Sequence, residues 1–334
     1  MGSSAAISPD FLELFRTHAG AAGTLTFAEF MALALYDPQQ GYYRQDRERV
    51  GRSPGTDFIT ASSTGELFGE LVAAACAELL AGAAGEHFFV EIGAERGRGV
   101  LSGVRHPFAA VRTIGVGEPI VLSGPCVVFA NELFDAQPFR RFVRRDGTWR
   151  ELGVRIGAEG LTAIELAPVA ADWLPAWAGE GYVFDAPRAA GELMAEIAGQ
   201  AWSGWLVTFD YGKSLAELAG ETPQGTVRAY HRHTQSNDLL ARPGEQDLTG
   251  HVCWDWLAEA LAGAGFGTPT VESQEAFFVR HAGAHLAATL AAEAGSPSRR
   301  KRALMQLLHP AQLGQKFQVL HAHRPASRCP GSVD

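Results

Sequence analysis

Cysteine is scarce and scattered: Cys76, Cys126, Cys253 and Cys329 are the four in 334 residues, and no two form a Cys-x-x-Cys pair. That spacing excludes a disulfide framework and a thiolate zinc site, and it reads as reduced thiols in a cytoplasmic protein. Long apolar runs are missing too; none approaches the roughly 18 to 20 residues that a bilayer span needs, so no membrane span is expected. The first residues, Met-Gly-Ser-Ser-Ala-Ala-Ile, have neither a basic stretch nor a long apolar core, and no secretion leader is expected. Positive charge is in the minority, with 28 Lys and Arg against 37 Asp and Glu and a net charge of −9. A generic nucleic-acid partner would want a basic face, and the run Arg299-Arg300-Lys301-Arg302 reads as a solvated helix face instead. Repeats and low-complexity stretches are absent. What remains is ordinary for a soluble globular protein, 46% apolar and 19% charged. The length suffices for one large domain or a domain with an appended subdomain.

The stretch 127–139, Val-Val-Phe-Ala-Asn-Glu-Leu-Phe-Asp-Ala-Gln-Pro-Phe, is the most informative. Four apolar residues, two of them β-branched, read as a strand buried on both faces. The run stops at Asn131 and Glu132, and Asp135 and Pro138 follow. Open α/β sheets bind ligands beyond the carboxyl ends of their strands, so polar groups there are candidates for ligand contact. The alternative is an Asn-Glu pair capping a helix.

Along the chain, residues 8–36 have helical spacing, and Thr26 followed by Glu29 is a capping-box signature. Residues 44–56 are polar and read as a surface loop. After Glu66-Leu67-Phe68-Gly69-Glu70 a long Ala/Leu-rich helix follows, to about Ala81. Phe88, Phe89, Val90, Glu91 and Ile92 read as a buried strand running into Gly93, Gly97 and Gly99, the usual opening of a nucleotide-type α/β unit, although the spacing is not Gly-x-Gly-x-x-Gly. A strand over 110–116 is separated from the strand at Val127 by only about ten residues, and a parallel crossover usually needs a dozen or more with a helix. Residues 140–145 and 148–156 flank Asp146-Gly147 as a hairpin with a type I′ turn, and 161–166 adds a further strand. A helix over 187–201, a strand ending at Asp210, a polar stretch over 213–249, a helix over 254–264 and late strands at 270–273 and 315–321 complete the pattern.

These pieces, in this order, resemble the MidA-like family of S-adenosylmethionine-dependent methyltransferases, relatives of the mitochondrial complex I assembly arginine methyltransferase. The resemblance runs from about Phe27 to Leu320. Its landmarks are Phe30-Met31, Leu35-Tyr36 and Gly41-Tyr42-Tyr43, Asp57-Phe58-Ile59-Thr60 with Phe68-Gly69-Glu70, and Glu91-Ile92-Gly93. They continue with Asn131-Glu132-Leu133-Phe134-Asp135-Ala136 and Pro138, Asp210-Tyr211-Gly212, Gly225-Thr226 through Tyr230 and His233, and Pro243-Gly244 through Asp247-Leu248-Thr249 with His251-Val252. The implied fold is α/β: a Rossmann-like class I methyltransferase core with a shortened sheet region, N-terminal helices and an inserted antiparallel β/helical subdomain. The implied segments are 1–85 as helices packed on the core, 86–139 and 200–334 as the core, and 140–199 as the insertion. S-adenosylmethionine is the implied cofactor, with Asp57, Thr60, Glu91, Gly93, Gly97, Glu118 and Asn131 facing it. A protein arginine is the implied acceptor, held by Glu132 and Asp135 with Asn131, His233, Asp247 and His251 completing the cleft.

The chain departs from the family's Glu-Ile-Gly-Pro-Gly-Arg-Gly-Thr-Leu loop at Ala94 and Glu95, and Arg98-Gly99 replace the Thr-Leu that begins a helix. Between Gly99 and Cys126 the helix and strand that follow the ribose-binding acid are missing. Two functions therefore stand: methyl transfer to a protein side chain, plausibly arginine, or a degenerate methyltransferase fold that serves as a binding or assembly partner. His233 and His251 make no metal-ligand spacing with a nearby acid, and no metal is expected. Neither the acceptor's identity nor the oligomeric state follows from the residues.

Overall fold

The computed structural model describes residues 7–45, 65–95, 97–295 and 298–326. Its contacts divide the chain into two units. The core unit comprises Thr60–Leu133, Glu192–Tyr211 and Leu257–Asp334, and the second unit Met1–Ile59, Phe134–Gly191 and Gly212–Trp256.

The core unit is built on one six-stranded sheet. Its strands are β1 (Phe88–Ile92), β2 (Ala110–Ile114), β3 (Gly124–Asn131), β4 (Trp202–Asp210), β5 (Thr270–Ser273) and β6 (Gln318–Arg324). The order across the sheet is β5-β6-β4-β3-β1-β2. Strands β2, β1, β3 and β4 run parallel, while β6 is antiparallel to β4 and β5 antiparallel to β6. As the apolar run of β3 implies, Val127, Val128, Phe129 and Ala130 are buried on both faces. Phe129 stacks on Phe89 at 5.5 Å and packs against Phe209 at 5.8 Å, which ties three adjacent strands through their rings.

The shortened region is real. Residues 115–123 link β2 to β3 without a helix. They are pinned instead by Gln200, whose Oε1 accepts the Leu122 N–H at 2.8 Å and whose Nε2 donates to Ile120 O at 3.1 Å. The described residues of 93–109, between β1 and β2, also form turns and no helix. This leaves β2 as an edge strand with its first four residues exposed.

On the other side, Glu66–Leu79 packs Phe68 edge-to-face against Phe209 and Phe278, at 5.5 and 6.0 Å. Helices Gln274–His281, Gly283–Ala292 and Arg299–Leu308 follow β5. Of these only the last carried a sequence signal, its basic run. Two have a readable start: Ser273 accepts the Ala276 N–H and Ser298 the Lys301 N–H.

The second unit carries a five-stranded antiparallel sheet: Thr24–Thr26, Thr148–Gly157, Arg140–Arg145 and Val183–Ala186 in order, with Gly160–Val169 also pairing with Thr148–Gly157. The expected hairpin turn is present, with Asp146 at φ 49° and Gly147 at φ 71°. The capping box Thr26–Glu29 opens the helix Phe27–Tyr36. A smaller sheet joins Thr234–Ser236, Arg228–His231 and Asp247–Thr249.

The partition differs from the expected segments 1–85 and 140–199. Thr24–Thr26 pairs with Thr148–Gly157, so the first helices belong with the insertion, and Glu66–Leu79 alone joins the core. Pairing between segments so distant in sequence leaves no local signal.

Candidate active site

Register fixes what meets at the carboxyl edge of the core sheet. Ile92 pairs with Ile114 on one side and with Ala130 on the other, and Asn131 pairs with Phe209. The chain therefore leaves the sheet at Gly93, Gly115, Asn131-Glu132 and Asp210 side by side. This is the edge at which open α/β sheets hold ligands.

Gly93 has φ +83°, a conformation that side chains resist, and a Cβ there would lie 3.0 Å from Leu133. Its N–H and that of Ala94 both donate to Ile114 O, at 2.9 and 3.3 Å. Gly97 also has positive φ. Glu95 and Arg98 close the loop on themselves, with the Arg98 N–H donating to Glu95 O at 3.0 Å.

Glu91 is buried, and its Oε2 accepts the Val100 N–H at 2.6 Å. It straps the returning chain to the sheet, and Gly99 permits the approach, since a Cβ there would lie 2.9 Å from Glu91 Oε2. Burial, only partly offset by that hydrogen bond, pushes the Glu91 carboxyl up to about 7. Glu118 Oε2 accepts the Gly115 N–H at 2.9 Å in the turn just beyond β2. Asp57 and Thr60 lie outside the described residues.

At the end of β3, Asn131 Nδ2 donates to Glu132 Oε1 at 3.1 Å. Asn131 Oδ1 is buried and has no hydrogen-bond partner among the described residues. A buried acceptor in that state costs about 1–3 kcal/mol unless a ligand donor or water meets it. Glu132 takes φ +52° while its N–H still donates to Phe209 O at 2.9 Å. Left-handed backbone at a residue with a side chain costs about 1–2 kcal/mol. Such strain clusters where geometry serves a function. The capping alternative fails, because the motif opens no helix.

Asp135 and Asp247 belong to the second unit and are both buried. Asp247 Oδ1 accepts the Tyr43 hydroxyl at 2.8 Å, and Tyr36 donates to Ala136 O at 2.9 Å. The two tyrosine rings stack with centroids 5.6 Å apart. Burial, followed by the charges of Asp247 and Asp135, raises both phenols well above their ordinary value. They remain neutral donors, beside two buried carboxylates. Tyr36 and Tyr43 are functional candidates that sequence reasoning passed over as landmarks.

Another buried acid that sequence reasoning missed is Asp185. It pairs with Arg141 at 2.6 Å and accepts the Thr226 and Val227 N–H groups at 2.6 and 2.9 Å. It shapes the loop in which Thr226 Oγ1 accepts the His251 N–H at 3.1 Å. His251 and Arg228 line an open cleft of about 270 Å³ that also includes Glu221 and Thr226. Burial, then the nearby Lys213 and Arg228 charges, push the His251 imidazole down to about 4. His251 is therefore neutral at physiological pH. His233 is exposed, in the two-residue turn between Arg228–His231 and Thr234–Ser236, with φ 61°.

A parallel core with one reversed strand, whose polar residues gather at its carboxyl edge, is the arrangement expected of the S-adenosylmethionine-dependent methyltransferase fold. Comparison with known proteins agrees. A family profile described as "Putative S-adenosyl-L-methionine-dependent methyltransferase" matches residues 110–270. The zebrafish (Danio rerio) protein arginine methyltransferase NDUFAF7, mitochondrial, is 25% identical over 98% of this chain and 90% of its own length. The mouse (Mus musculus) counterpart is 24% identical over 88% of this chain and 80% of its own. A Burkholderia thailandensis protein crystallised with S-adenosyl-homocysteine superposes with a TM-score of 0.83 at 26% identity, covering 96% of this chain and 95% of that one. Over nearly its whole length the chain is thus similar to the MidA-like family of S-adenosylmethionine-dependent methyltransferases.

Proposed function

We propose that this chain binds S-adenosylmethionine and methylates an arginine side chain of a protein substrate. The Oδ1 of Asn131, buried and without a hydrogen-bond partner among the described residues, carries the reading, because it stands at the ligand-binding edge beside the positive-φ Gly93. These residues fit the cofactor: Asn131 offers an acceptor and Gly93 leaves the backbone open. Gly97, Glu91 and Glu118 shape the adjoining turns, and the sequence assigns Asp57 and Thr60 to the same ligand. When bound, S-adenosylmethionine supplies an electrophilic methyl group on a sulfonium.

The protein's task is then to hold the acceptor and to receive its proton. A guanidinium is always charged and presents a planar fork of donors that carboxylates accept. Within the second unit, Asp135 and Asp247 are the buried acids that the resemblance assigns to the acceptor, and Tyr43 donates to Asp247. Glu132 orients the acceptor through a geometry stiffened by its own backbone and by Asn131. His251, being neutral, adds no positive charge that would repel the substrate, and the resemblance assigns His233 to the same region.

The degenerate reading draws on Glu95 and the lost crossover. It is not favoured, since a relative with nearly full coverage binds S-adenosyl-homocysteine. The arginine acceptor and the protein partner rest on the arginine methyltransferases of similar sequence. Among the described residues no helix is long and apolar enough to cross a membrane. Cys76, Cys126 and Cys253 are free and buried, which suits the reducing cytoplasm proposed for the chain.

Calorimetric titration with S-adenosylmethionine and with S-adenosylhomocysteine tests this. The expected result is a Kd of roughly micromolar order, abolished in Gly93→Arg and weakened at least about tenfold in Asn131→Ala. Absence of heat with both ligands, in a protein whose circular dichroism shows it folded, sinks the enzyme reading.

A further inference from the structure

The antiparallel edge of the core sheet holds a second cluster that methyl transfer leaves unused. Thr270 pairs with His321, so Glu272 and His321 stand diagonally on one face of β5 and β6. His281 closes the helix Gln274–His281 that begins directly after β5. Glu272 Oε1 lies 3.0 Å from His321 Nε2 and 3.7 Å from His281 Nε2. One donor atom from each residue falls within 4.8 Å of the others.

Hydrogen bonding leaves this group incomplete. One contact, His321 to Glu272, is short enough to be a hydrogen bond. His281 Nε2 is buried with no hydrogen-bond partner among the described residues. The rings are held in place: His281 and His321 meet edge-on at 5.4 Å, and each lies within 5.4 Å of the Phe277 ring. Arg280 Nη1 lies 2.9 Å from Glu272 Oε2 as an ion pair but makes no hydrogen bond to it, while Oε1 faces the two imidazoles.

We propose that Glu272, His281 and His321 form a binding site for a divalent transition metal of the zinc type, pinning β5, β6 and the helix between them. Zinc–nitrogen and zinc–oxygen bonds of about 2.0–2.2 Å place tetrahedral ligand atoms about 3.3 Å apart, a spacing that the observed 3.0 and 3.7 Å bracket. Two imidazoles and one carboxylate leave the fourth position to water. Arg280 occupies the outer place that usually orients a ligating carboxylate. The site lies on elements that do not carry Asn131 or Glu132, so it is separate from the residues assigned to methyl transfer.

The test uses the full chain, stripped with a chelator and titrated with zinc chloride, with cobalt(II) as a spectroscopic probe. The expected result is one equivalent bound with roughly micromolar or tighter affinity, visible d–d absorption from cobalt, and a higher melting temperature with zinc. His281→Gln keeps the His321–Glu272 hydrogen bond and is therefore expected to fold, yet it should lose at least tenfold in zinc affinity; Glu272→Gln should do the same. Zinc uptake that is absent, or equal in the wild type and in a folded His281→Gln variant, overturns the proposal. Because the readout is metal binding, it fails or succeeds independently of methyl transfer.

Discussion

At one edge of the core sheet, β2 carries four exposed residues out of five and is reached and left through segments without a helix. At the other, β5 and β6 run antiparallel against the helix Gln274–His281, and Val319, Leu320 and Ala322 are buried. The chain has been cut back on one side and reinforced on the other. The polar strand ends that define the family lie between, on β1, β3 and β4. Each of those strands is hydrogen-bonded on both sides, so its register and its carboxyl end hold whatever happens at the edge. A sheet can lose a crossover at its border without moving the residues at its centre.

The strongest way to sharpen this contrast is to weaken the centre. Phe129 is fully buried between Phe89 and Phe209, and Phe129→Ala should cost about 3–5 kcal/mol, read as a lowered urea midpoint.

Next in size are two pH effects of opposite sign. Glu91 is raised from 4.5 to about 7, so its contribution to stability is complete below pH 4.5 and disappears as pH rises through 7. The span is on the order of 3 kcal/mol, and Glu91→Gln should flatten the stability curve over that window. His251 is lowered from 6.5 to about 4, so its contribution is present above pH 6.5 and disappears as pH falls toward 4. His251→Gln should flatten that acid limb instead. Curves unchanged by both substitutions would remove the electrostatic account of both sites.

Smaller again is Gly93→Ala, which forces a Cβ into the left-handed region 3.0 Å from Leu133. It should destabilise by about 1–2 kcal/mol and weaken S-adenosylmethionine binding measured by calorimetry. Smallest is Val111→Ser at the stripped edge. Val111 is 37% exposed, and the change should stay within about 0.5 kcal/mol. A loss there as large as that at Phe129 would mean that Val111 is packed within the chain and that the edge is not stripped.

Much of this was legible in order. The strand Gly124–Asn131, the hairpin about Asp146-Gly147, the capping box at Thr26 and the missing crossover each follow from short runs whose periodicity or turn chemistry is local. What sequence reading passed over shares the opposite property. Asp185 has its partners at Arg141 and at Thr226-Val227, Tyr43 finds Asp247, and His281 meets Glu272 and His321. In each case the chemistry lies in a contact between distant segments, and each residue alone resembles any loop acid, core aromatic or helix-end histidine.

The sequence by itself determined the α/β class, the family, the carboxyl-edge motif at Asn131-Glu132 and the loss between β2 and β3, because apolar runs, glycines and turn residues act over a few positions. Only the tertiary structure decided that the first helices join the inserted sheet, that Glu91 straps the loop at Val100, and that Asn131 keeps an oxygen without a partner among the described residues. Burial and hydrogen-bond satisfaction belong to the packed whole, where the neighbours that set them arrive from far along the chain.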